Sequence, residues 1–167
     1  MIIETLQSIF QREIRALRRE IQSYPDEKRL WEVPGGVTNS AGNLALHLSG
    51  NLQHFIGAKL GGTGYVRNRD LEFASRGVSR DKILSEIDAA ARAIDAGFGR
   101  LTDADLAKSF PEPINGATVQ TGEWLFHLIA HLGYHLGQID YHRRMVTGDA
   151  KTLDVVSVKE LPSAVDH

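Results

Sequence analysis

Apolar residues recur at steps of three and four along most of this chain, the spacing of a helix with one face turned inward. Leu6, Phe10, Ile14, Leu17 and Ile21 predict an amphipathic helix over residues 2–23. Its charged run from Arg12 to Glu20 mixes both signs and reads as a solvated face. Leu44, Leu48, Leu52 and Phe55 predict a second helix over residues 40–60, with Asn39 or Ser40 as its cap. Ile83, Ile87, Ile94, Phe98 and Leu101 predict a third over 80–101, capped by Ser79, and the stretch TDADL at 102–106 predicts one further turn. Leu125, Leu128, Leu132, Leu136 and Ile139 predict a fourth over 122–146, with Thr121 as cap.

Polar and Gly/Pro-rich stretches separate these runs. Pro25, Pro34, Gly35 and Gly36 mark a connector over 24–39, in which Trp31 is expected to pin the chain to the bundle. Residues 61–79 form a Gly-rich connector too long for a simple turn, the length of a lid or a local subdomain. Pro111, Pro113 and Gly116 mark another irregular crossing over 107–120. After Gly148 the helical pattern weakens, LDVVSV at 153–158 reads as a short strand or an ordered arm, and the last residues as a frayed end. No repeat or low-complexity segment interrupts this. The expected organisation is an all-α bundle of four long helices over 1–150 with a C-terminal arm at 151–167. In such bundles, sites are built between facing helices.

Composition narrows the chemistry. A chain of 167 residues suits one domain with a full core. A net charge of −2 gives no electrostatic reason to expect nucleic acid or an anionic membrane as partner. No apolar run is long enough to span a bilayer, and the opening MIIETLQSIF lacks a basic leader, so the expected location is cytoplasmic. There is no cysteine, which excludes disulfides, thiolate nucleophiles and Cys-based zinc sites. Any metal must be held by imidazole, carboxylate, amide or water.

The fourth helix carries the candidate chemistry in HLIAHLGYHLGQIDYHRR, residues 127–144. His127, His131, His135, Gln138 and His142, with Trp124 before them, fall within roughly 80° of one another on a helix. This stripe borders the apolar sector, where a polar group needs a partner. Two His four residues apart can grip one ion, but three in succession span too much axial length, at about 6 Å per step. Two of the three are therefore expected to bind, with a third ligand from another helix. On the second helix His47, Asn51 and His54 share one edge, and His47 and His54 lie about 10 Å apart along the axis, too far to share an ion. His47, set in LALHL, is the better third ligand.

Familiar metal templates fail on particular residues. A zinc peptidase helix would need Glu after the first His, where Leu132 and Leu128 stand. A di-iron bundle would need Glu three residues before a His, where Leu128 and Trp124 stand. The lone His of NLALHLSGN together with HLIAHLGYHLGQI resembles the DinB/YfiT-like superfamily over residues 1–146. That resemblance implies an up-down-down-up four-helix bundle, often a homodimer. It also implies a divalent metal, commonly nickel or zinc, held by His47, His131 and His135. His127 then matches a position that is usually no ligand, and Gln138 a position beside the ligands, in the second shell or in packing. Asn51 is a candidate pocket residue.

Relatives of this kind include thiol-dependent S-transferases and a maleylpyruvate isomerase, so the resemblance implies a metalloenzyme acting on a small molecule, an S-transferase or a hydrolase. Three neutral imidazoles leave an ion its full charge and an open position, which suits activation of a low-molecular-weight thiol or of water. The expected pocket lies between the second and fourth helices, bordered by 61–79, with Arg67 or Arg69 meeting an anionic part of the thiol unless they serve in salt bridges. The competing class is a non-catalytic metal-binding or structural bundle protein.

Overall fold

A computed structural model describes residues 2–165. Five α-helices form: α1 (Ile2–Gln22), α2 (Ala41–Leu52), α3 (Arg69–Ala74), α4 (Arg80–Phe98) and α5 (Thr121–Thr147). No strand forms among the described residues. The four long helices of the sequence pattern are all present. Ser40 and Ser79 cap α2 and α4, each hydroxyl accepting the N–H three residues on. The cap of α5 differs from expectation: Gln120 occupies it, and its side chain and that of Glu123 each accept the other's backbone N–H. TDADL forms a 3-10 turn over Asp103–Ala107, and the Asp103 carboxylate accepts Ile2 N at 3.3 Å and Ile3 N at 2.9 Å, closing the start of α1.

Helix α2 continues into a π-helical segment, Gln53–Ala58. Its wider register shows in Lys59 N to His54 O at 3.0 Å and Gly61 N to Ile56 O at 2.9 Å. Here α2 and α4 cross closely: a Cβ on Gly97 would stand 2.6 Å from Ile56 O.

One core joins the elements, with Phe10, Ile14, Leu48, Leu52, Ile87, Ile94, Leu128 and Leu132 all buried. Fully burying each such side chain contributes about 1.5–3 kcal/mol. Against α4, Gln7 and Gln11 of α1 reach Asp95 at 2.9 Å, and Arg18 reaches Asp88 at 2.9 Å. Against α5, Glu20 of α1 meets Arg143 at 2.8 Å, the two side chains 1% and 2% exposed. Arg143 also donates to Asp140 at 2.9 Å and to Lys151 O at 3.0 Å.

Trp31 pins its connector as the sequence predicts, donating to Val78 O at 3.1 Å and lying against Gly42. The stretch 153–158 is an ordered arm rather than a strand: Val155 is buried, its carbonyl accepts from Arg19, and Glu160 pairs with Arg19 at 2.8 Å. The fraying expected at the extreme end falls in part on residues 166–167, outside the described residues. Among the described residues, no helix is long and apolar enough to cross a membrane.

Candidate metal centre

Helices α2 and α5 face each other with His47 on one and His131 and His135 on the other. The i, i+4 spacing places the latter two rings one above the other, with centroids 4.6 Å apart. The His47 ring lies 5.2 Å from that of His131 and 5.4 Å from that of His135. Each residue offers a ring nitrogen, and the three nitrogens lie within 4.8 Å of one another.

Two of the three rings, His47 and His135, are held by what their other nitrogen touches. His47 Nδ1 is 2.9 Å from Glu72 Oε2, with both side chains buried. Glu72 is ionised there: its bonds to His47 and Arg67 outweigh burial and hold its carboxyl below the usual range. It therefore accepts the Nδ1 proton, while His47 Nε2 faces the rings of α5. Arg67 completes the arrangement, donating to Glu72 Oε1 at 2.7 Å and Oε2 at 2.8 Å. Its approach to His47 Nδ1 at 3.2 Å brings two donors together on a shared carboxylate oxygen and is no hydrogen bond of its own. On the other side, His135 Nδ1 is 2.6 Å from Gln138 Oε1, which leaves its Nε2 free.

His131 lies between the two. Burial first, then the neighbouring His135, His47, His127 and Arg67, push its pKa down to about 4, so it is neutral at pH 7. Burial likewise lowers His135, opposed by Gln138. Nε2 of His131 stands 3.3 Å from Nε2 of His47, and its buried Nδ1 has no hydrogen-bond partner. Two nitrogens bound to zinc at about 2.1 Å with tetrahedral angles are separated by about 3.4 Å. The spacing, the neutral His131 and His135 rings and the carboxylate behind His47 all fit a divalent cation.

The remaining candidates fall elsewhere. His127 stacks on Trp124 at 4.7 Å between centroids and stands outside the cluster. His54, in the π-helical segment, pairs with Glu112 at 2.8 Å. His142 belongs to the stripe by angle but is buried between the Tyr24 hydroxyl at 2.9 Å and Glu32 O at 2.8 Å. Asn51 is buried and makes none of the bonds that hold the three rings. Arg67 is engaged in the ion pair, and Arg69 lies over the Phe73 ring at 5.0 Å.

Sequence reasoning missed Glu72 and Asn43. The 61–79 connector folds into α3, and Asn43 Nδ2 ties α3 to α2 by donating to Glu72 O at 2.9 Å, Phe73 O at 3.1 Å and Ser75 O at 3.0 Å. That tether delivers the Glu72 side chain to His47. The one available signal was an acid in a connector too long for a turn, with a candidate metal-binding His needing an acceptor for its other ring nitrogen.

Fold and site together define a helical bundle in which facing helices bring three imidazoles to one point, a set that could hold a metal ion. A family model described as the DinB superfamily matches residues 9–139, and the chain belongs to that superfamily, whose members usually bind metal. No curated protein matches the chain.

Proposed function

We propose that this protein is a metal-dependent enzyme holding one divalent ion, nickel or zinc, through His47, His131 and His135, and acting on a small molecule as a thiol-dependent S-transferase or a related hydrolase. The observation that carries the reading is the convergence of three ring nitrogens within 4.8 Å, two of them with the opposite nitrogen engaged by Glu72 or Gln138. A divalent ion there would lower the pKa of a coordinated thiol or water, giving a nucleophile at neutral pH. The chain's own part is to orient and to keep neutral. Glu72 fixes the His47 tautomer, Gln138 fixes that of His135, and burial keeps His131 unprotonated.

The same reading takes the bundle to be up-down-down-up. Contacts of Gln7 with Asp95 and of Arg18 with Asp88 support antiparallel α1 and α4. Those of His47 with His131 and Phe55 with Trp124 support antiparallel α2 and α5, and Glu20 with Arg143 supports parallel α1 and α5. It also takes residues 1–150 as the catalytic domain with 151–167 as its arm, a homodimer as the working form, and the cytoplasm as its place.

The test begins with metal analysis of protein made without a His tag. One divalent ion per chain is expected, lost in His131→Ala/His135→Ala. Loaded protein is then assayed with a panel of low-molecular-weight thiols and a halogenated bimane. Metal-dependent rates should fall by about tenfold or more in His47→Ala. A bound ion with neither thiol transfer nor hydrolysis would leave a non-catalytic metal-binding protein.

A further inference from the structure

Beside the cluster lies a cavity of about 370 Å³ between α2, α5 and the connector before α2. It is in the volume range of small-molecule sites. His135 and Gln138 form one wall, and Val37, Thr38, Leu44, Tyr134, Tyr141 and Met145 form much of the rest. This departs from the sequence expectation, because the 61–79 connector takes no part in it; that segment instead lines a separate cavity with Tyr65, Glu72 and Lys82.

The cavity is set apart by its charge. No Asp, Glu, Lys or Arg lines it. Its histidine outside the cluster, His142, is taken up by the Tyr24 hydroxyl at 2.9 Å and Glu32 O at 2.8 Å. Three other cavities carry formal charges: Glu13, Glu20 and Asp140 in one, Arg18, Asp81 and Asp88 in another, Glu72, Lys82 and Glu86 in a third. A charged ligand entering the cavity would leave water and find no counter-ion among the side chains that line it. Tyr134 and Tyr141, seven residues apart on α5, both line the cavity, and the Arg144 guanidinium lies over the Tyr141 ring at 5.3 Å; a planar group can pack against these aromatic side chains. The Gln138 oxygen is engaged by His135, so its amide N–H groups are the donors available to a carbonyl oxygen.

We infer that this cavity is the acceptor pocket of the site, and that it takes an uncharged, planar, carbonyl-bearing small molecule, held between Tyr134 and Tyr141 next to His135. The inference rests on the proposed metal-dependent reaction for its role, and on the cavity alone for its ligand class. It moves substrate recognition away from Arg67 and Arg69 to the opposite side of the cluster.

The probes are coumarin, which is neutral and planar, and its anionic analogue coumarin-3-carboxylate. Binding to the full chain is followed by calorimetry and by amide chemical shifts, in metal-free and in cobalt-loaded protein. Coumarin should bind the metal-free chain about tenfold more tightly than the carboxylate. Tyr134→Ala and Tyr141→Ala should each weaken it by about fivefold or more. These side chains are 66% and 65% exposed, so both variants should keep the wild-type circular dichroism. Saturating coumarin should shift the visible absorption of the cobalt-loaded protein. Tighter binding of the carboxylate, or binding indifferent to both tyrosines, overturns the ligand class. Coumarin binding with an unchanged cobalt spectrum overturns the role beside the cluster. Failure of the chain to take up any metal, with coumarin still bound, sinks the proposed function and leaves the pocket standing. Loss of self-association in Tyr134→Ala, without coumarin binding to any form, assigns the face to a second copy of the chain and overturns the inference.

Discussion

Glu72 shows how much a single side chain outside the coordinating set can control. It accepts from His47 in a buried pairing and from Arg67 in a partly buried one. Glu72→Gln keeps an acceptor for His47 but removes the charge that polarises the ring. Metal affinity, read by competition against a chromogenic chelator, should fall by about tenfold to a hundredfold. The same change strands the Arg67 guanidinium, so urea unfolding should show a loss of about 3 kcal/mol even without metal. An unchanged affinity with a lowered stability would make Glu72 a structural partner of Arg67 alone. The histidines themselves were legible because their spacing is local and regular. Glu72 was not, because its partner lies 25 residues away and the packing of α3 on α2, tied by Asn43, brings them together. His142 misled for a related reason: angular position on a helix omits height along the axis, and Tyr24 and Glu32 cover it.

At the scale of elements, periodicity revealed all four long helices and two of their caps. It did not reveal the π-helical register of Gln53–Ala58, a single wide turn too short to leave a period of its own in the sequence. The glycines of the α2–α4 crossing carry the better record of it. A Cβ at Gly97 would stand 2.5 Å from Ile56 Cγ2 and 2.6 Å from Ile56 O. The second contact is with backbone and cannot swing away. Gly97→Ala is therefore expected to destabilise the protein by about 1–3 kcal/mol, despite the helix propensity it gains. Gly133→Ala on α5 meets nothing within 4 Å and should stabilise the chain by up to about 1 kcal/mol. Urea titrations of the two variants should move in opposite directions; a stabilising Gly97→Ala would mean that the helices cross with room to spare.

The whole molecule carries the histidines as an acid sensitivity. Burial lowers the pKa of His131, His135 and His142. The unfolded chain thus binds more protons than the folded one wherever these groups titrate, and stability rises with pH across that range. For His131 the window runs from 6.5 down to about 4: its contribution is complete above the first value and lost as pH falls through the second. Glu20, whose carboxyl burial raises, acts in the opposite direction. The prediction is therefore comparative. Metal-free His131→Asn should lose less melting temperature than the wild type between pH 7 and pH 5, by scanning calorimetry. Parallel curves would show that His131 is solvated.

The buried pairing of Glu20 with Arg143 has one more consequence, for the fidelity of assembly. Leucines repeated along α5 would pack almost as well if the helix slid by one turn, about 5.4 Å. Such a slip would bring His135 to the height of His131 and disassemble the cluster while barely disturbing the oily contacts. It would also leave two ions alone in the interior, a penalty of about 3–5 kcal/mol that apolar packing by itself does not impose. The pair thus works as a key that admits one alignment of the bundle. Replacing both members, in Glu20→Met/Arg143→Met, should leave the protein folded yet double the amide resonances of α5, as two alignments come to coexist. A single sharp set would place the key elsewhere along the helix.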